Sequence, residues 1–114
     1  MSLLDELAAV LEARKQQTPE SSYVASLYHE GTNRILQKIG EESAELIIAG
    51  KDNCATSELR NGSTRDEVVK ETADLWFHCM VLLAHQGLSH NEVLAELGSR
   101  FGISGHDEKA SRST

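Results

Sequence analysis

At 114 residues, with one proline and 39% hydrophobic content, the chain is sized for one ordered domain with a real core and is too short for anything elaborate. A formal charge of −7 leaves no basic footprint for a nucleic-acid surface or an anionic membrane, so neither is an expected partner. Two cysteines, Cys54 and Cys79, exclude a disulfide framework and fit free thiols, no apolar run reaches the ~18 residues of a membrane span, and Met1-Ser2-Leu3 does not open a signal peptide, so a cytoplasmic protein is expected.

Leu3 to Lys15 carries apolar residues at Leu3, Leu4, Leu7, Val10 and Leu11, acids in front and Arg14-Lys15 behind, as a helix macrodipole favours; Ser2 is placed to cap it. Gln16 to Ser22 reads as a loop, because Pro19 restricts Thr18 and opens rather than continues a helix. Tyr23 to Glu30 predicts a short helix stopped by Gly31, and Thr32 to Ala49 a longer one with Gly50 as its stop. Gly40 inside that helix costs ~1 kcal/mol against alanine, and its missing side chain would let a neighbouring helix or a phosphate come close. Lys51 to Ser63 is polar and reads as a mostly flexible connection, with a weak helical tendency at Ala55 to Arg60.

Thr64-Arg65-Asp66-Glu67 reads as a capping box opening a helix that runs to about His85 or Gln86 and ends at Gly87. Ser89-His90-Asn91-Glu92 is a second box, starting a helix over Asn91 to Arg100 with Val93, Leu94 and Leu97 facing inward. After Phe101 there is little to bury, which gives a single domain over residues 1–102 and a disordered tail over 103–114. Aromatics are scarce at 4%, and the apolar content is mostly Leu, Ile, Val and Ala, which suits helices. The expected fold is all-α, an antiparallel helical bundle of about four to five helices. Leu75 to Ala84 is apolar on nearly every side, with Trp76, Phe77 and Met80 read as core. So few helices cannot cover it alone, which predicts a homodimer or larger homo-oligomer completing the bundle.

Two acidic motifs break this pattern of solvated faces. At about 100° per residue, with Glu42 at zero, Lys38 lies near −40°, Glu45 near −60° and Glu41 near −100°. Ile35, Ile39, Leu46 and Ala49 fall between about −20° and +60°, so Glu42 projects into the apolar stripe. On the later helix Glu71 and His78 share a stripe with Asp74, which begins the apolar stretch. One Glu-x-x-Glu alone is an ordinary exposed face. Two such sets beside apolar stripes, on helices able to pack antiparallel, call for a counter-charge, because buried carboxylates neutralise, pair or bind metal. His78 reads as a hydrogen-bonded core histidine ahead of a ligand, and Cys79 as small buried filler.

A ligand set of carboxylates without cysteine suits Mg²⁺, with Mn²⁺ as the alternative, rather than zinc. Mg²⁺ is commonly held by a few carboxylates together with substrate phosphates, so a phosphate ester or anhydride is the expected ligand, and Lys38 on the same face can meet another phosphate oxygen. A di-iron bundle would need Glu-x-x-His pairs, and the chain contains none.

Ser22-Tyr23-Val24-Ala25-Ser26-Leu27-Tyr28, Gly31, Arg34-Ile35, Lys38-Ile39-Gly40-Glu41-Glu42-x-x-Glu45 and Glu71-Thr72-Ala73-Asp74-Leu75-Trp76-Phe77-His78 closely resemble the phosphoribosyl-ATP pyrophosphatase family over most of residues 3 to 100. The acidic motifs alone are shared with the wider all-α nucleoside-triphosphate pyrophosphatases. The segment from Ser22 into Lys38-Ile39-Gly40 is what singles out the histidine-pathway member. The resemblance implies hydrolysis of 1-(5-phospho-β-D-ribosyl)-ATP between its α and β phosphates, giving the AMP derivative and pyrophosphate, the second step of histidine biosynthesis. It implies metal binding by Glu42, Glu45, Glu71 and Asp74, catalytic roles for Glu41, Glu42 and Glu45, and substrate binding by Lys38, Arg34 and Tyr23. Gln37 departs from the family, standing where a second lysine often precedes the Lys38 position. Two other functions fit the acids: a house-cleaning nucleoside-triphosphate pyrophosphatase, and a non-catalytic helical module that binds a structural cation without turnover.

Overall fold

Helix α1 (Leu3–Ala13) begins where Ser2 closes a capping box: its hydroxyl accepts from Asp5 N–H at 3.2 Å, and its own N–H donates to Asp5 Oδ2 at 3.1 Å. In the computed structural model, which describes residues 2–54 and 62–103, five α-helices and no strands follow one another along those residues. The α-helix expected to reach Lys15 stops at Ala13 and tightens into a 3₁₀ turn over Arg14–Gln16. Gln17 N–H then reaches Arg14 O at 3.1 Å, the usual closure of a last turn ahead of a proline loop.

Helix α2 (Tyr23–Glu30) is capped by Ser22, whose hydroxyl accepts from Ala25 N–H at 3.2 Å. Gly31, at φ 97°, ends α2 and starts α3 in the same residue: its N–H meets Leu27 O at 2.9 Å, and its carbonyl accepts from Ile35 N–H at 3.2 Å. Only glycine takes that φ without strain.

Helix α3 (Thr32–Asn53) passes straight through Gly50, so the expected stop fails. Packing against α4 (Gly62–His85), its antiparallel neighbour, outweighs the ~1 kcal/mol propensity cost of one glycine. The connection is therefore shorter than Lys51 to Ser63, since both ends are helical, while the helical tendency at Ala55 to Arg60 and the tail beyond Ile103 lie outside the described residues. Thr64 is not an N-cap. It sits inside α4, and its hydroxyl donates to Asn53 Oδ1 at 2.9 Å, tying the start of α4 to the end of α3. A Cβ at Gly40 would meet nothing within 4 Å, so no described part of the chain needs that space.

Gly87, at φ 71°, stops α4 as expected. Leu88 N–H reaches Leu83 O at 2.8 Å and Gly87 N–H reaches Ala84 O at 3.2 Å, which is the Schellman pattern. Helix α5 (His90–Phe101) opens with the expected Ser89/Glu92 box and closes at Gly102. His90, buried at its first turn, contacts Asp5 Oδ1 at 2.7 Å, which fastens α5 to the beginning of α1.

Leu11, Val24, Leu27, Ile35, Met80 and Val81 make the core, drawn from α1, α2, α3 and α4. Two expectations about what is buried fail within this one chain. Trp76 is 61% exposed, and Phe77 is only half-buried against the core. Val93, Leu94 and Leu97 of α5 are exposed as well. The pattern of a fully covered α4 is not met by the helices of a single copy: Val69 and Trp76 of α4 are exposed, as are Ile47 and Ile48 of α3, of which Ile48 lines the cleft between the two helices.

Candidate metal centre

The antiparallel pair sets α3's acids opposite α4's. Glu42 follows the apolar stripe inward and is 7% exposed, while Glu41, one position earlier, turns outward. Lys38 Nζ lies 3.2 Å from Glu41 Oε2 and 3.8 Å from Glu42 Oε1, so the cation stays on this side of the helix. Its pKa is raised, first by the Glu41 hydrogen bond, which keeps the ammonium charged.

From α4, Glu71 enters the same space and is 6% exposed. One carboxylate oxygen from each of Glu42, Glu45 and Glu71 lies within 4.8 Å of the others. Asp74 stands outside that tight triplet but lines the same open cleft of ≈ 550 Å³, together with Asp52, Glu67 and Lys70. Crowding shows in the proton affinities. Glu71 is pushed up to about 7, first by the neighbouring Glu45 carboxylate, then by that of Glu67, then by burial. Glu42 is raised by burial, then by Glu45 and the Asp74 charge, with His78 opposing.

Glu71 Oε2 is buried and has no hydrogen-bond partner. A buried, unpartnered carboxylate oxygen beside two further carboxylates is the condition a hard divalent cation relieves. The triplet offers oxygen only, which fits Mg²⁺ or Mn²⁺ and gives zinc none of its usual nitrogen or sulfur donors.

His78 is buried and fully engaged: Nδ1 contacts Asp74 O at 2.9 Å and Nε2 contacts the Tyr23 hydroxyl at 2.9 Å. It is a core histidine of the hydrogen-bonded kind, with Nδ1 3.8 Å from Glu42 Oε1. The structure thus gathers Glu42, Glu45, Glu71 and Asp74 in one cleft, while Lys38, 3.8 Å from Glu42, and Tyr23, bonded to His78, lie outside its lining. Arg34, one helical turn before Lys38, lies 3.9 Å from Glu30 and does not line the cleft.

Asp52, Glu67 and Lys70 were missed by the sequence reading. Asp52 lies seven residues after Glu45 and shares its face, a signal lost once the helix was ended at Gly50. Glu67 lies four before Glu71 and Lys70 four before Asp74, but Glu67 also fits the capping-box pattern that begins at Thr64.

A family model described as Phosphoribosyl-ATP pyrophosphohydrolase matches residues 4–101. A protein of Hydrogenovibrio crunogenus (strain DSM 25203 / XCL-2), named Phosphoribosyl-ATP pyrophosphatase, is 50% identical over 111 residues, covering 97% of this chain and 93% of that one.

Proposed function

The chain belongs to the phosphoribosyl-ATP pyrophosphohydrolase family, and from that premise we propose that it hydrolyses 1-(5-phospho-β-D-ribosyl)-ATP to the AMP derivative and pyrophosphate at the cleft between α3 and α4. This is the second step of histidine biosynthesis. The observation that carries the placement is the buried, unpartnered oxygen of Glu71 beside the carboxylates of Glu42 and Glu45.

Glu42, Glu45, Glu71 and Asp74 would hold Mg²⁺. When bound, the cation neutralises the triphosphate and stabilises charge developing on the leaving pyrophosphate. Glu42 and Glu71 supply the buried, charge-crowded side of the site. Glu45 and Glu41, both exposed, orient the attacking water and accept its proton. Lys38 and Arg34, one helical turn apart on α3, meet phosphate oxygens as they arrive, and Tyr23 stands near Lys38.

Residues 1–102 form the working domain. A homodimer or larger homo-oligomer covers apolar side chains that a single copy leaves exposed, among them Ile47, Val69 and Trp76. None of the described helices is long and apolar enough to cross a membrane. The free thiols of Cys54 and Cys79 fit a cytoplasmic setting.

The deciding assay incubates the full chain with phosphoribosyl-ATP and Mg²⁺ and identifies products over time. Pyrophosphate should appear in one step without a diphosphate intermediate. Sequential orthophosphate release rules out α–β cleavage; metal binding with no turnover leaves a structural-cation module; preference for simple nucleoside triphosphates points to a house-cleaning enzyme.

A further inference from the structure

The contact between Tyr23 and His78 spans 55 residues of sequence and joins α2 to α4 beside the acids. Its chemistry is fixed by the other end of the ring. A backbone carbonyl can only accept, so the 2.9 Å contact with Asp74 O places the hydrogen on Nδ1. The neutral imidazole then has only a lone pair at Nε2, and the Tyr23 hydroxyl donates to it. Tyr23 is 51% exposed and could bond water there, whereas His78 is 6% exposed and depends on the tyrosine for a donor at Nε2. Tyr23 and Phe77 both meet the imidazole edge-to-face, at centroid distances of 5.9 and 5.2 Å, which leaves it little freedom to tilt. One edge of the ring therefore rests on α2, and at the other the Nδ1–H is donated to the Asp74 backbone carbonyl, with Glu42 Oε1 lying 3.8 Å from Nδ1.

We propose that Tyr23 and His78 are positioning residues for Glu42: the Asp74 backbone carbonyl sets the His78 tautomer, and the Tyr23 hydroxyl, donating to Nε2, holds the ring so that its Nδ1–H edge stays 3.8 Å from Glu42 Oε1 and favours that carboxylate's ligating orientation. This rests on Glu42 and Asp74 being metal ligands, and it gives the Tyr23 hydroxyl a role toward the metal rather than toward the substrate. Partners one bond removed from a metal ligand commonly change metal affinity by ~10- to 100-fold when removed.

Tyr23→Phe keeps the ring and deletes the hydroxyl. Calorimetric titration of the full chain with Mg²⁺ alone should show about 10-fold weaker binding. kcat should fall at limiting Mg²⁺ and recover at high Mg²⁺, with KM for substrate unchanged once Mg²⁺ is saturating. Tyr28→Phe removes a comparable hydrogen bond, from the Tyr28 hydroxyl to Leu11 O at 2.9 Å, away from the acids, and should leave Mg²⁺ binding unaltered. His78→Asn retains an N–H donor near the Nδ1 position and should bind Mg²⁺ better than His78→Leu. In the His78→Asn background Tyr23→Phe should add no further loss, because the group it acts through is gone.

A raised KM with unchanged Mg²⁺ binding in Tyr23→Phe would instead make the hydroxyl a substrate contact. Additive losses in the double variant would show that it does not act through His78, and unchanged binding and kinetics would remove its role. Failure of the underlying site looks different: wild type and Glu42→Gln would then bind Mg²⁺ alike. If wild type binds, Glu42→Gln does not and Tyr23→Phe is unaffected, the positioning role alone is refuted.

Discussion

Glu71→Gln should change the number of protons released when Mg²⁺ binds. The Glu71 carboxyl is pushed up to about 7, chiefly by the neighbouring carboxylates of Glu45 and then Glu67, and must ionise to ligate a cation. With a folded-state value of about 7, it is roughly half protonated at pH 7, about nine-tenths at pH 6 and about one-tenth at pH 8, and binding releases those fractions. Titrating Mg²⁺ into the protein by calorimetry, in buffers of different ionisation enthalpy, measures the release directly. Glu42 is raised too and adds its own share, so the quantity of interest is the difference between wild type and Glu71→Gln, about half a proton at pH 7. The same displacement acts on the metal-free fold. Since the folded value lies above the ordinary value of 4.5, the group's contribution to stability is fully present below that value and is lost as pH rises through about 7. Melting of the metal-free Glu71→Gln variant should accordingly depend less on pH between 4.5 and about 7 than that of wild type. Equal proton release by the two proteins at pH 7 would refute the crowded-carboxylate picture of this cleft.

Glu42→Gln and Asp74→Asn should each lower turnover by at least ~10²-fold while circular dichroism stays native. In melting curves without metal, Glu42→Gln should be as stable as wild type or more so, because one charge leaves a crowded, buried site. Asp5 has its pKa lowered, first by the Ser2 backbone hydrogen bond and then by His90, so its contribution is present above the ordinary value of 3.8 and lost as pH falls through its lower folded value. Asp5→Asn should therefore flatten the acid limb of a urea-stability profile, and an unchanged limb would show that the contact between α1 and α5 contributes nothing there. Trp76→Asp, placed on the exposed apolar side of α4, should shift sedimentation at micromolar concentration from an oligomer toward a monomer. A wild type that sediments as a monomer would remove the reason for that side being apolar.

What sequence showed most clearly was local chemistry. Ser2 and Ser89 cap helices, and Gly31 and Gly87 interrupt them, because each acts within a few residues of itself. The inward direction of Glu42 was equally legible, since helical geometry alone relates it to Ile35 and Ala49, both buried beside it on α3. Gly50 was misjudged for the opposite reason: α3 continues because α4 lies along it, and the propensity of one residue carries no record of that neighbour. The same truncation hid Asp52. Trp76 and Leu97 carry the apolar pattern of covered positions, but a pattern gives a face and not the chain that covers it. The link from Tyr23 to His78 lies beyond any periodicity, because it joins two helices whose registers are set by the core between them.

The most direct measurement of the metal site is pyrophosphate release from phosphoribosyl-ATP by wild-type protein after exhaustive chelation, then after Mg²⁺ is added back. Carboxylates gathered as Glu42, Glu45 and Glu71 are should give no turnover in chelator and full recovery with Mg²⁺. Full activity in chelator would contradict the site.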